Sequence, residues 1–198
     1  MKRSERGFQL IELLVVLALF MLMAGIAIPS ILRISGQGRL RLAAQEVVGT
    51  MRLARALAVR RCNNVALKFH PRADGHATWS LYRDADGDGV LTKDIDRGVD
   101  PRIAPPKRLE QIGSQVRFGF PPGRLARDPA SPRKWLRNGD DPIRFNNSNL
   151  ASFGPLGTAT PGTVFLTDGQ RGLAAVRVTG RTGKVKVVVY DFEEEVWK

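Results

Sequence analysis

The chain changes its hydrophobic rhythm twice, and each change marks a new element. Leu13 to Ile28 reads LLVVLALFMLMAGIAI, without one polar side chain. Extended to Phe8 and Leu32, the run is broken by Gln9, Glu12, Pro29 and Ser30. At 1.5 Å per residue, about 20 to 25 helical residues cross a bilayer core of roughly 30 Å. Residues 8–32 are therefore expected to form a transmembrane helix. A second rhythm follows Pro29. Leu40, Ala44, Val47, Met51, Ala54 and Ala58 recur at three- and four-residue spacing, with Arg41, Gln45, Arg52 and Arg55 between them. This predicts an amphipathic helix over 33–61 with an alanine-rich stripe lying on a globular domain. Gly36-Gln37-Gly38 is a point where that helix softens.

From Asn64 the period becomes two. Val65, Leu67 and Phe69 alternate with Ala66, Lys68 and His70, and Ala77, Trp79 and Leu81 with Thr78, Ser80 and Tyr82. Pro71-Arg72-Ala73-Asp74-Gly75 between them is turn chemistry, so the two runs predict a hairpin. Further strands are expected at 116–120, 143–145, 163–167, 173–179 and 184–190, with turns at Asp168-Gly169 and Thr182-Gly183. Residues 121–142, rich in proline and arginine, read as a surface insertion. The fold class is α+β: a long N-terminal helix, transmembrane then amphipathic, packed on a mainly antiparallel β domain over 62–198.

Composition narrows the function. The chain has 198 residues, 43% hydrophobic and 25% charged, which excludes a disordered chain and a polytopic membrane protein. One cysteine, Cys62, forbids an internal disulfide, and two histidines, His70 and His76, leave little for a His/Cys metal site. Both histidines read as exposed turn residues. Lys2, Arg3 and Arg6 against Glu5 place the N-terminus on the cytoplasmic side and the remainder outside. An ordinary signal peptide has the same layout, but its apolar core runs about 7 to 15 residues. It also has no use for Glu12, because an acid entering a membrane helix is costly and marks a functional pairing.

Arg6-Gly7-Phe8-Gln9-Leu10-Ile11-Glu12-Leu13-Leu14-Val15-Val16 resembles the class III signal of type IV pilins and pseudopilins. That resemblance makes 1–7 a prepilin leader. It implies cleavage by a prepilin peptidase between Gly7 and Phe8, N-methylation of Phe8, and an assembly role for Glu12, fifth in the mature chain. Gln9 stands where Thr or Ser is usual. Cleavage removes three cations and one anion, taking the net charge from +12 to +10. Phe153-Gly154-Pro155-Leu156-Gly157, Gly162 to Leu166 and Val176 to Val185 resemble the C-terminal half of H-type pseudopilins of type II secretion and related minor type IV pilins. The resemblance implies a pilin-like, non-enzymatic, structural minor pseudopilin. Its partners would be other major and minor pseudopilins, the prepilin peptidase and the bacterial inner membrane, crossed once with the globular domain periplasmic. One alternative is a minor type IV pilin acting in pilus assembly or DNA uptake. The other is an exported calcium-binding β protein with an ordinary signal peptide.

Two segments carry candidate ligand chemistry. Asp84-Ala85-Asp86-Gly87-Asp88-Gly89-Val90 matches the first half of an EF-hand loop. Asp84, Asp86 and Asp88 supply carboxylates at positions one, three and five, and Val90 a carbonyl at seven. Ile95 stands where the bidentate Glu belongs, with Asp94 and Asp96 flanking it. Calcium is thus the candidate cofactor, and a solvated acidic turn the plainer alternative. Arg171, Arg177, Arg181, Lys184 and Lys186 make the C-terminal hairpin basic. Arg181 and Lys184 are the candidate nucleic-acid contacts, since phosphate binding needs only clustered cations; a solvated strand face is the simpler account. Glu193-Glu194-Glu195 reads as a solvated tail. No phosphate loop, Gly-x-Ser-x-Gly or HExxH motif occurs, so no catalytic residue is expected.

Overall fold

The computed structural model describes residues 10–72, 77–112, 115–180 and 182–198, with side chains outside 27–35. Helix α1 spans Leu10–Arg61. It runs through Gly36-Gln37-Gly38, and there the chain divides into two compact units, Met1–Gly36 and Gln37–Lys198. In the second unit the expected stripe holds. Leu40, Ala44, Val47, Met51, Ala54 and Ala58 are all buried, joined by Ala43 and Val48, while Arg41, Gln45, Arg52 and Arg55 are exposed. Cys62, with φ of 50°, ends the helix and is exposed.

The β elements follow in chain order: β1 (Val65–Pro71), β2 (Ala77–Arg83), a short helix α2 (Thr92–Arg97), β3 (Lys107–Arg108), β4 (Arg117–Phe118), β5 (Ala126–Arg127) and β6 (Trp135–Leu136). After them come β7 (Ile143–Arg144), β8 (Leu150–Phe153), β9 (Gly162–Thr167), β10 (Leu173–Thr179), β11 (Lys184–Asp191) and β12 (Val196–Trp197). They form antiparallel sheets ordered β3-β2-β1-β8 and β12-β11-β10-β9-β4, with β7 also on β9, and a small pair β5-β6. The first hairpin pairs Val65 with Arg83 and Pro71 with Ala77, as the alternation requires.

That alternation decides what each strand faces. Val65, Leu67 and Phe69 of β1, Trp79 and Leu81 of β2, and Ala174, Val176 and Val178 of β10 share one core with the α1 stripe. The tie is also polar: Trp79 Nε1 donates to Thr50 Oγ1 at 3.4 Å, and Arg55 Nε donates to the Gly157 carbonyl at 3.2 Å. Gly183, at φ 57°, lies against the same Gly157 carbonyl and Arg55, so a Cβ there would collide. The opposite face of β1 and β2 carries a smaller cluster of Ala66, Tyr82, Val90 and Leu150, with Ile95 against it.

Three expectations need correction. Residues 121–142 are more than a surface insertion, because Ala126 and Leu136 pack with Phe120, Phe165, Leu173, Ala175 and Tyr190 in a core of their own. That insertion covers the outer face of β9 and β10. Glu193-Glu194-Glu195 are exposed, as expected, but they form a turn and not a tail. There β12 turns back onto β11, pairing Tyr190 with Trp197, and Trp197 Nε1 donates to the Arg127 carbonyl at 2.7 Å. His70 is half-buried, its ring 6.5 Å from that of Tyr82; His76 lies outside the described residues.

Candidate functional site

At the N-terminal end, Gly7 and Phe8 lie outside the described residues. Glu12 sits in the first turn of α1, where the helix dipole favours an acid, and it is exposed. Every side chain from Leu10 to Ile26 is exposed, Phe20 by 66% and Ile26 by 73%. A helix apolar on all faces belongs in an apolar medium, either lipid or other helices. Among the described residues no helix is long and apolar enough to cross a membrane. The apolar run extends to Ile28 in the sequence, beyond the last of these described side chains.

The acidic loop between β2 and α2 is built around two buried carboxylates. Asp84 Oδ1 accepts the Gly87 N–H at 2.7 Å. Its Oδ2 accepts from Gly89 N–H at 3.0 Å and from Asn64 Nδ2 at 2.9 Å. Burial pushes the Asp84 carboxyl up, but these donors outweigh it and hold the group below the ordinary carboxylate value. Asp100, 2% exposed, accepts the N–H of Ala85 at 3.2 Å and of Leu91 at 3.1 Å. Asp86 and Asp88 are exposed, and carboxylate oxygens of Asp84, Asp86 and Asp88 lie within 4.8 Å of one another. Val90 is buried in the small cluster under the loop. The three candidate carboxylates therefore do come together, with Val90 following them in the chain. The sequence reading missed Asp100 and Asn64. Their only signal is that each is an Asx residue, with nothing to tie it to a loop 15 or 20 positions away.

The basic hairpin is less convergent. Arg177 on β10 faces Lys186 on β11, and Thr179 faces Lys184. Lys184 and Lys186 are exposed and alternate with buried Val185 and half-buried Val187. That is the pattern of a strand with one face on a core and the other in water. Arg181, the other candidate contact, lies outside the described residues.

With this geometry in view, comparison with known proteins is informative. The model of the type II transport protein GspH family matches residues 43–183, from the buried stripe of α1 to the β10–β11 turn. The prokaryotic N-terminal methylation motif matches residues 2–28. No curated protein and no solved structure gives a match. The GspH match spans the α1 stripe, the first hairpin, the acidic loop and β8 to β10, well over half the chain. An N-terminal methylation motif joined to that domain is the arrangement of a pilin-like subunit. The chain belongs to the GspH family, the H-type pseudopilins of type II secretion.

Proposed function

We propose that the chain is processed by a prepilin peptidase between Gly7 and Phe8, methylated on Phe8, and built into a pseudopilus as a minor subunit. One observation carries this reading: the helix from Leu10 to Ile26 exposes apolar residues on every face, and the one acid among them is Glu12. Such a surface is unstable in water. Burying it in lipid, and later against the helices of other pseudopilins, removes the cost at about 25 cal/mol per Å² of apolar surface.

In this account 1–7 is the leader, 8–32 anchors the chain in the inner membrane, 33–61 carries the stripe onto the globular part, and 62–198 faces the periplasm. Glu12 supplies register. Cleavage after Gly7 creates a free α-amino group, and a carboxylate held in an apolar layer is stable only when it is paired. A neighbouring subunit that brings its amino group to Glu12 satisfies both charges, and a subunit out of register leaves them orphaned. The β domain then presents its outer surface to neighbouring minor subunits or to cargo.

Replacing Glu12 by Gln tests the pairing. The expected result is that Glu12→Gln still fractionates with membranes and is still processed, but no longer co-purifies with the other pseudopilins after crosslinking. Co-purification at the parental level would overturn the assembly role of Glu12.

A further inference from the structure

The acidic loop holds more negative charge than its own hydrogen bonds account for. Carboxylate oxygens of Asp84, Asp86 and Asp88 approach within 4.8 Å of each other. The described ion pairs give this triad a single cation, Lys93, whose ammonium stands 3.6 Å from Asp88 Oδ2.

A second observation comes from α2. Asp94, one residue before the position where an EF-hand places its bidentate Glu, is buried, with 6% of its side chain exposed. Its Oδ2 makes no hydrogen bond. A buried carboxylate oxygen without a donor is costly and uncommon. The same Lys93 ammonium stands 3.6 Å from it, beyond hydrogen-bond length. The orphan oxygen of Asp94 and the exposed oxygen of Asp88 therefore face one cation between them.

The helix also explains the substitution at the twelfth position. Starting at Thr92, α2 turns Asp94 inward and lays Ile95 on the apolar cluster of Ala66, Tyr82, Val90 and Leu150. Asp96, the other flanking acid, is exposed and acts instead on Lys68 and His70.

We propose that the loop from Asp84 to Val90, completed by Asp94 of α2, is a site for a hard divalent cation of the calcium class, with Lys93 standing in when the ion is absent. The donors would all be oxygen: the three loop carboxylates within 4.8 Å of one another, with the Asp94 carboxylate and the Val90 carbonyl drawn in as the ion takes the place of Lys93. A set of carboxylates and a carbonyl, with no fixed octahedral arrangement, suits the variable six- to eight-fold coordination of calcium better than the rigid octahedron of magnesium. Binding would replace a mobile lysine by a fixed ion, locking α2 to the end of β2. The site is independent of how the N-terminus is processed.

The test is calorimetric titration of the full chain in detergent with calcium chloride, beside magnesium chloride, with melting followed in parallel. The expected result is one saturable calcium site with Kd on the order of 10⁻⁴ to 10⁻³ M, a higher Tm in calcium, and weaker magnesium binding. Asp86→Asn, at an exposed position, should weaken calcium at least about ten-fold and leave calcium-free melting unchanged. Asp94→Asn should weaken it comparably, and Lys93→Met should bind as tightly as the parent or tighter. No calcium heat and no Tm shift, magnesium binding as tight as calcium, or parental affinity in either Asn variant would overturn the proposal.

Discussion

Asp84 shows how one side chain can be legible in its type and opaque in its role. Its spacing from Asp86 and Asp88 marks a cation loop in the sequence. The folded chain gives it a second duty, accepting hydrogen bonds from Gly87, Gly89 and Asn64. Asn64 and Asp100 reach the loop from the start of β1 and from beyond α2, and no local pattern announces a contact formed only by chain reversal. The linkage has a definite sign. The folded Asp84 carboxyl lies below its ordinary value of 3.8. Its stabilisation is therefore complete above that value and is lost as pH falls through the folded one. Asp84→Ala is expected to cost about 1–3 kcal/mol at neutral pH by leaving those donors unpaired, and to flatten the acid limb of the stability curve. Denaturant unfolding at neutral pH and below pH 3.8 checks both, and an unchanged acid limb would remove the role. Asp191 follows the same rule more strongly. Lys198, with the N–H groups of Glu193 and Glu194, draws it down to about 2.

Legibility among the elements depended on length. The long helix and each strand of five residues or more in the Gln37–Lys198 unit carried a period: the α1 stripe, both strands of the first hairpin, and β9, β10 and β11. The two-residue strands carry none, since two residues cannot display alternation, and the six residues of α2 make less than two helical turns. Strand β8 escaped for a different reason. Ala151 and Phe153 face the main core while Leu150 joins the smaller cluster behind β1, so both faces are covered and the apolar pattern does not alternate. The insertion over 121–142 was misread because its composition, rich in Pro and Arg, is that of a loop. Only two of its own apolar side chains, Ala126 and Leu136, join the core beneath it. The α1 stripe is mostly small-residue packing around two large buried side chains, Leu40 and Met51. Met51→Ala should therefore destabilise by about 2–5 kcal/mol, read as a lower midpoint in thermal or denaturant unfolding. A change under about 0.5 kcal/mol, the range of surface substitutions, would mean the stripe does not hold the helix to the sheets.

At the scale of the whole molecule, the Met1–Gly36 and Gln37–Lys198 units ask for different surroundings. The second closes its own cores. The first exposes its apolar side chains from Leu10 to Ile26, and a bilayer or a bundle of like helices satisfies them. The GspH domain and the methylation motif bear on that contrast, because the function proposed above has the chain leave the membrane for a fibre. The central claim is that the chain loses seven residues, keeps its apolar helix and gains a methyl group. Intact mass and N-terminal peptide mapping of the mature protein, taken from membranes that contain a prepilin peptidase, test it most directly. The account predicts a chain that begins at methylated Phe8. A chain that begins near Ile28 would contradict it, and would take with it the anchor, the role of Glu12 and the place in the pseudopilus.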